Sequence, residues 1–253
     1  MPPPLATLVI PAYREGLRLP PLLTTLVEEA VAAPSPPLEV VVVDDGSGPT
    51  ERDREQEAVR AAQEALRRAG APHQIRFVAA PANRGKGAAI RLGWAGADAA
   101  SEWLGFLDAD GAVSAREAWR LVRMLPALSD VDVLAGTRIL MAGRSIQRSL
   151  VRHLQGRVFA TLVERAFGLG FYDTQCGLKV VRASRLRPLL PRLTEDRWLL
   201  DLEVLVLLAR AGARMREVPI DWADPGGSKV TPGLDALRMA MGLWRMRRRL
   251  DRA

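Results

Sequence analysis

Two aspartates two residues apart, Asp108 and Asp110, follow the apolar run Leu104-Gly105-Phe106-Leu107. On an extended backbone, side chains two apart share a face, so both carboxylates point the same way. Such a pair can anchor one hard divalent cation and leave its other positions open to diphosphate oxygens. The 253 residues include one cysteine, Cys176, and two histidines. Thiolate and histidine-rich sites are therefore disfavoured, and a metal held here is expected to be Mg²⁺ or Mn²⁺.

A second acidic pair, Asp44-Asp45, closes a run of four valines and precedes Gly46-Ser47. It reads either as a turn or helix cap, or as an acceptor for the N–H and O–H groups of a base and ribose. Asn83-Arg84-Gly85-Lys86-Gly87 opens a helical stretch. Helix N-termini behind glycine-rich turns favour anions, although the glycines also suit a left-handed turn. The P-loop spacing is absent, and no Gly-x-Gly-x-x-Gly or other glycine-rich nucleotide-binding signature follows the first strand, which disfavours a dinucleotide dehydrogenase and a nucleotidyltransferase.

The elements that must position these residues alternate along the first half. Apolar runs predict strands over 5–10, 40–43, 74–78, 103–107 and 131–135, and periodicity predicts helices over 19–33, 51–69, 86–99 and 116–125. Strand–helix alternation at this spacing predicts an α/β fold with a doubly wound, mostly parallel sheet. Ligands bind such sheets at the carboxyl ends of the strands. Five strands end there in Pro11-Ala12-Tyr13-Arg14-Glu15, Asp44-Asp45, the 83–87 loop, Asp108-Ala109-Asp110 and Gly136-Thr137-Arg138. Beyond them the pattern predicts helices over 145–169, 198–211 and 234–250, and strands over 178–181 and 215–220. No linker or internal repeat interrupts residues 1–253, which are read as one domain.

Apolar residues make up 48% and charged residues 26% of the chain, which excludes a disordered polymer. The net charge of +7 is unevenly spread: residues 1–137 carry −4 and residues 138–253 carry +11. The acidic half suits a metal; the basic half suits phosphates, an acidic membrane or nucleic acid. The uncharged run at 1–13 contains four prolines and is too short to cross a bilayer. Of 36 basic residues only Lys86, Lys179 and Lys229 are lysine, and each lies near glycine.

The series Val9-Ile10-Pro11-Ala12-Tyr13, Val43-Asp44-Asp45-Gly46-Ser47, Asn83-Arg84-Gly85-Lys86-Gly87 and Asp108-Ala109-Asp110 resembles a family 2 glycosyltransferase of the GT-A fold. Asp173-Thr174-Gln175-Cys176-Gly177-Leu178-Lys179, Arg197-Trp198 with Asp201-Leu202-Glu203, Glu217-Val218-Pro219-Ile220-Asp221-Trp222 and Ser228-Lys229 resemble its dolichyl-phosphate β-glucosyltransferase branch. The resemblance implies inverting transfer of a sugar, glucose from UDP-glucose ahead of mannose from GDP-mannose, to a polyprenyl or dolichyl phosphate. It implies donor contacts from Pro11, Ala12, Tyr13, Glu15, Asp44, Asp45, Asn83, Arg84, Lys86, Asp108, Ala109 and Asp110. Eukaryotic members of that branch usually carry an N-terminal anchor, and this chain opens almost at its first strand. Attachment is therefore expected to be peripheral, on the cytoplasmic face of the membrane, unless the acceptor is not a membrane lipid.

A lipid phosphate is already anionic, with a second pKa of about 6, and needs cations rather than a strong base. Arg144, Arg148 and Arg152 recur every four residues and predict one row on the 145–169 helix, with Ile146, Leu150, Leu154 and Val158 on the other side. Arg152 and Arg138 are expected to hold the acceptor phosphate, with Arg148 and Lys229 in support; a solvated arginine face is the alternative. Asp201 and Glu203 read either as a base for a hydroxyl acceptor or as partners of Arg197 or Arg182. The Leu237, Met241 and Trp244 side of the last helix is expected to rest on the bilayer. A nucleic-acid-binding protein, suggested by the basic charge, is disfavoured because the predicted cleft is acidic and no binding motif is present.

Overall fold

The computed structural model describes residues 2–147, 150–224 and 234–251. A seven-stranded sheet has the order β3-β2-β1-β4-β7-β5-β8. Its strands are β1 (Ala6–Ala12), β2 (Leu38–Asp44), β3 (Gln74–Ala79), β4 (Trp103–Leu107), β5 (Val133–Thr137), β7 (Leu178–Arg182) and β8 (Met215–Pro219). All pairings are parallel except those of β7, which runs antiparallel to both β4 and β5.

Every residue of β2 is buried, as a strand covered on both faces requires. Along β1, Leu8 and Ile10 face one layer and Val9 the other. The first layer includes α1 (Leu19–Ala32), α2 (Pro49–Arg68) and α4 (Ala115–Met124); the second includes α3 (Lys86–Ala95), the short α6 (Ala183–Leu186) and α7 (Leu200–Arg210). Val42 continues the first face and Val41 and Val43 the second. Two-sided burial is why these strands read as unbroken apolar runs.

The helix predicted over 145–169 is corrected. Residues Ile146–Gln147 form a short strand, β6, parallel to β9 (Trp222–Ala223), and α5 spans Leu150–Phe167. Trp222 N–H donates to Ser145 O at 2.9 Å and Asp224 N–H to Gln147 O at 3.0 Å. This ladder to a distant segment outcompetes the local helix. Arg144 and Ile146 therefore lie ahead of α5, and the expected row of arginines on one helix does not form. The last helix, α8 (Leu234–Leu250), packs against α5.

Candidate active site

Antiparallel β7 pairs Leu178 with Leu107 and Lys179 with Phe106. That register sets Gly177 against the carboxyl end of β4, where Asp108 N–H donates to Gly177 O at 2.9 Å. A Cβ at Gly177 would lie 2.3 Å from Asp108 Oδ2, so only glycine leaves room for that carboxylate. Lys86, at the first turn of α3, places Nζ 2.8 Å from Asp108 Oδ1 and 3.8 Å from Asp201 Oδ2. Lys179 places Nζ 3.4 Å from Asp201 Oδ2 and 2.6 Å from Cys176 O. Both ammonium groups lie over the Phe106 ring, 4.9 and 5.4 Å from its centroid. The two described lysines of an arginine-rich chain thus share one carboxylate. A lysine is a compact charge on a flexible stem, not interchangeable with a planar guanidinium fork.

Burial pushes the Asp108 carboxyl above its ordinary range, against the pull of Lys86. Burial works against the charged form of Lys86 too, but Asp108 and Asp201 outweigh it and hold its pKa above the ordinary value. Asp201 is buried, and its Oδ1 has no hydrogen-bond partner among the described residues.

Asp110 turns into the loop, its Oδ1 accepting from Ala112 N–H at 3.0 Å; Ala109 between the two aspartates is buried. Among the described residues no group of three or more His, Cys, Asp or Glu converges as a metal cage. Asp108 and Asp110 supply hard oxygen donors with fewer than a full set of ligands. Together with the space kept by Gly177, that set fits a divalent cation completed by diphosphate oxygens.

Asp44 and Asp45 are engaged by the protein. Asp44 accepts from Ser47 N–H at 2.7 Å and pairs with Arg52 at 2.8 Å. Asp45 fixes the next loop, accepting from Asn83 Nδ2, Arg84 N–H and Gly85 N–H at 2.9, 2.9 and 2.7 Å. Gly85 has a φ of 116°, and a Cβ on Gly87 would lie 2.7 Å from Glu195 O. These glycines admit the backbone of 195–197, whose Asp196 O accepts from Ala88 N–H at 3.0 Å. Part of the α3 N-terminus is thus capped by protein. Arg84 pairs with Asp196 at 2.9 Å. At the end of β1, Ala12 is buried, Pro11 and Tyr13 are half-buried, and Glu15 pairs with Arg18 at 2.5 Å.

In the second half Arg138 binds Asp173 twice, Nε to Oδ2 at 2.6 Å and a terminal nitrogen to Oδ1 at 2.9 Å. Burial opposes the charge on Arg138, but Asp173 holds its pKa above the ordinary value. Glu217 backs the pair by accepting from Tyr172 and Asp173 N–H at 2.7 and 2.9 Å. Arg144 pairs with Glu117 at 3.2 Å. Arg148, Lys229 and the side chains of Arg152 and Leu237 lie outside the described residues.

Asp201 is neutralised by lysines rather than by Arg197 or Arg182. Glu203, fully buried, binds Arg249 at 2.6 Å and accepts from Thr194 and Glu195 N–H. It is a structural staple with no free oxygen facing the strand ends. Cys176 is buried, and burial pushes its thiol up to about 12, so it is a packing residue. Sequence reasoning did not place Gly177 or Lys179 in the site; the scarcity of lysine was the signal that marked Lys179.

Leu154, Val158 and Leu162 on α5 are exposed at four-residue intervals. Met241 and Trp244 on α8 are also exposed, and Arg248 lies over the Trp244 ring at 4.2 Å. Among the described residues no helix is long and apolar enough to cross a membrane.

The sheet order, with the polar ends of five co-directional strands on one edge, is that of the GT-A fold. The model of glycosyl transferase family 2 matches residues 7–186, and the chain belongs to that family. A dolichyl-phosphate beta-glucosyltransferase of Drosophila melanogaster is 31% identical over 94% of this chain and 73% of its own length. The Saccharomyces cerevisiae enzyme of the same name is 30% identical over 94% and 72%. Among solved structures, glucosyl-3-phosphoglycerate synthase from Mycobacterium tuberculosis in complex with UDP superposes with a TM-score of 0.63 at 16% identity, covering 96% of this chain and 79% of that one. A mannosyltransferase from Pyrobaculum calidifontis in complex with GDP-Man and Mn²⁺ superposes with a TM-score of 0.57 at 21% identity, covering 95% and 61%. The protein is a hexosyltransferase.

Proposed function

We propose that this enzyme transfers glucose from UDP-glucose to dolichyl phosphate or a related polyprenyl phosphate, with inversion, at the cytoplasmic surface of a membrane. The observation that carries the reading is the cluster in which half-buried Lys86 and Asp108 meet buried Asp201 and Lys179 beside Asp110. Its carboxylates suit a divalent cation, and its Lys86 ammonium suits a diphosphate oxygen. The names of the relatives support the lipid phosphate and the glucosyl group.

Asp108 and Asp110 would hold Mg²⁺ or Mn²⁺, which supplies charge neutralisation at the departing diphosphate. Lys86, already between two carboxylates, would lie against the same diphosphate. Pro11, Ala12, Tyr13 and Glu15, with the loop that Asp45 organises, would bound the nucleotide. Asp201, flanked by two lysines, serves as their counter-ion and not as a base. The phosphate monoester carries its own charge and attacks C1 directly. Arg138 is committed to Asp173, so Arg152 is the better choice for the acceptor phosphate, with Arg148 and Lys229 beside it. The exposed apolar residues of α5 and α8, with the basic residues around them, would meet the bilayer by apolar burial and attraction to anionic lipid.

The donor is tested by calorimetry in Mn²⁺. UDP-glucose is expected to bind at least about tenfold more tightly than GDP-mannose, a difference of about 1.4 kcal/mol. The reverse order would make the enzyme a mannosyltransferase.

A further inference from the structure

Three consecutive backbone N–H groups follow the end of β1, and each is taken by a different side chain of the β2–α2 segment. Arg14 N–H donates to Ser47 Oγ at 2.9 Å, Glu15 N–H to Glu55 Oε1 at 2.8 Å and Gly16 N–H to Glu51 Oε2 at 3.0 Å. Arg14 has a φ of 57° and is the only described non-glycine residue with positive φ. A left-handed residue among right-handed ones turns successive N–H groups to one side, making a concavity that accepts anionic groups. For an L-residue that conformation costs roughly 1–2 kcal/mol and persists only where the surroundings enforce it. Here the enforcing groups are two carboxylates one turn apart on α2. A Cβ on Gly16 would approach Glu51 Oε2 to 2.7 Å, so a larger residue there would push the Glu51 carboxylate off the loop.

Glu55 is the unexpected member. By composition α2 is a solvated surface helix, yet Glu55 is fully buried and its Oε2 has no hydrogen-bond partner among the described residues. Burial pushes its carboxyl up to about 7, against the hydrogen bond from Glu15, and the charges of Asp44, Glu15 and Glu51 raise it further. The sequence keeps a carboxylate where an apolar residue would pack without that cost. What it gains is a fixed path for residues 13–16, which continue from the β1 edge. The same edge is tied to β2 from below, where Asp45 N–H donates to Ala12 O at 2.7 Å.

We infer that Glu55 and Glu51, with Ser47, are positioning residues for the nucleotide: they lock the loop after β1 in the conformation that receives a nucleoside diphosphate. They touch the loop and act through it. The inference rests on the donor-site reading above.

The experiment combines hydrogen exchange of the peptide spanning 13–18 with calorimetry of UDP in Mn²⁺, on wild type, Glu55→Ala, Glu55→Gln and Glu51→Ala. Leaving the Glu15 N–H without its buried partner costs about 1–3 kcal/mol, so Glu55→Ala is expected to weaken UDP by about tenfold. It should speed exchange of the loop and raise the donor KM with little change in kcat. Glu55→Gln keeps an acceptor oxygen and should stay within about threefold of wild type. Mn²⁺ binding without nucleotide should be unchanged in all variants. If Glu55→Ala does not fold, Glu51→Ala, whose side chain is 27% exposed, is expected to show the same pattern. A loosened loop with unchanged UDP affinity overturns the inference, as does an unaltered loop. Wild type that binds neither UDP nor GDP overturns the donor-site reading itself, before any variant is compared.

Discussion

Lys86 and Asp108 form an ion pair, Nζ to Oδ1 at 2.8 Å, that joins the first turn of α3 to the end of β4. It brings a cation to the carboxylate that the Asp-x-Asp spacing marks for a metal. Lys86→Met should lower transfer by about a hundredfold or more, the size seen when one preorganised charge-stabilising group is removed. Lys86→Arg should not restore it, because a planar fork is not interchangeable with a compact ammonium between Asp108 and Asp201. Mn²⁺ binding, followed by electron paramagnetic resonance, should survive both changes. Recovery of more than a tenth of the activity by arginine would show that only charge matters there.

Asp108→Asn and Asp110→Asn test the metal ligands. Each should abolish transfer and the Mn²⁺-dependent part of nucleotide binding while the far-ultraviolet circular dichroism is kept. Undiminished turnover in EDTA would remove the metal from the mechanism.

The Arg138–Asp173 pair gives a stability prediction. Removing Arg138, a quarter exposed, leaves the buried Asp173 carboxylate uncompensated, which costs up to about 3 kcal/mol. Arg138→Ala should therefore lower the urea midpoint sharply. Asp173→Asn, which keeps an acceptor oxygen, should lower it less. If Arg138→Ala instead leaves stability unchanged and removes saturation by lipid phosphate, Arg138 belongs to the acceptor.

Much of the site was legible in the sequence because five strand ends lie on one sheet edge and two-sided burial writes each strand as an apolar run. The Asp108/Asp110 pair and the 83–87 loop follow from local spacing. The insertion of β7 between β4 and β5 does not, since strand order is not a local property. Gly177 and Lys179 enter the site only through that insertion. The β6–β9 ladder was hidden for the same reason: Ser145 and Gln147 are paired by residues more than seventy positions away. Glu55 was hidden by its neighbours, a charged helix in which burial of one carboxylate leaves no mark on composition.

Glu55 also sets a pH dependence of stability. Its carboxyl rises from an ordinary 4.5 to about 7 on folding, so the folded state favours the protonated form. The associated stability is complete below pH 4.5 and is lost as pH rises through 7. The loss is on the order of 3 kcal/mol. Glu55→Gln removes the titration, so its stability relative to wild type should climb between pH 4.5 and 7 and level off above. Denaturant titrations at pH 5 and pH 8 read this directly; a constant difference between the two proteins would contradict the raised pKa.

Membrane attachment predicts that the protein floats with anionic vesicles at low salt and is released at high salt, as surface charges are screened. Trp244→Ser should weaken the flotation by removing an exposed aromatic side chain from α8. Failure of the wild-type protein to float would place the acceptor in solution.

The reaction is read from its product. Purified enzyme, UDP-glucose, Mn²⁺ and dolichyl phosphate in vesicles should yield a lipid-soluble monophosphate carrying one hexose, identified by mass spectrometry, with UDP released in equal amount. Dolichol without the phosphate should yield none, because the anionic oxygen is the nucleophile. Hexose transferred to dolichol itself, or only to a water-soluble acceptor, would contradict the proposed reaction.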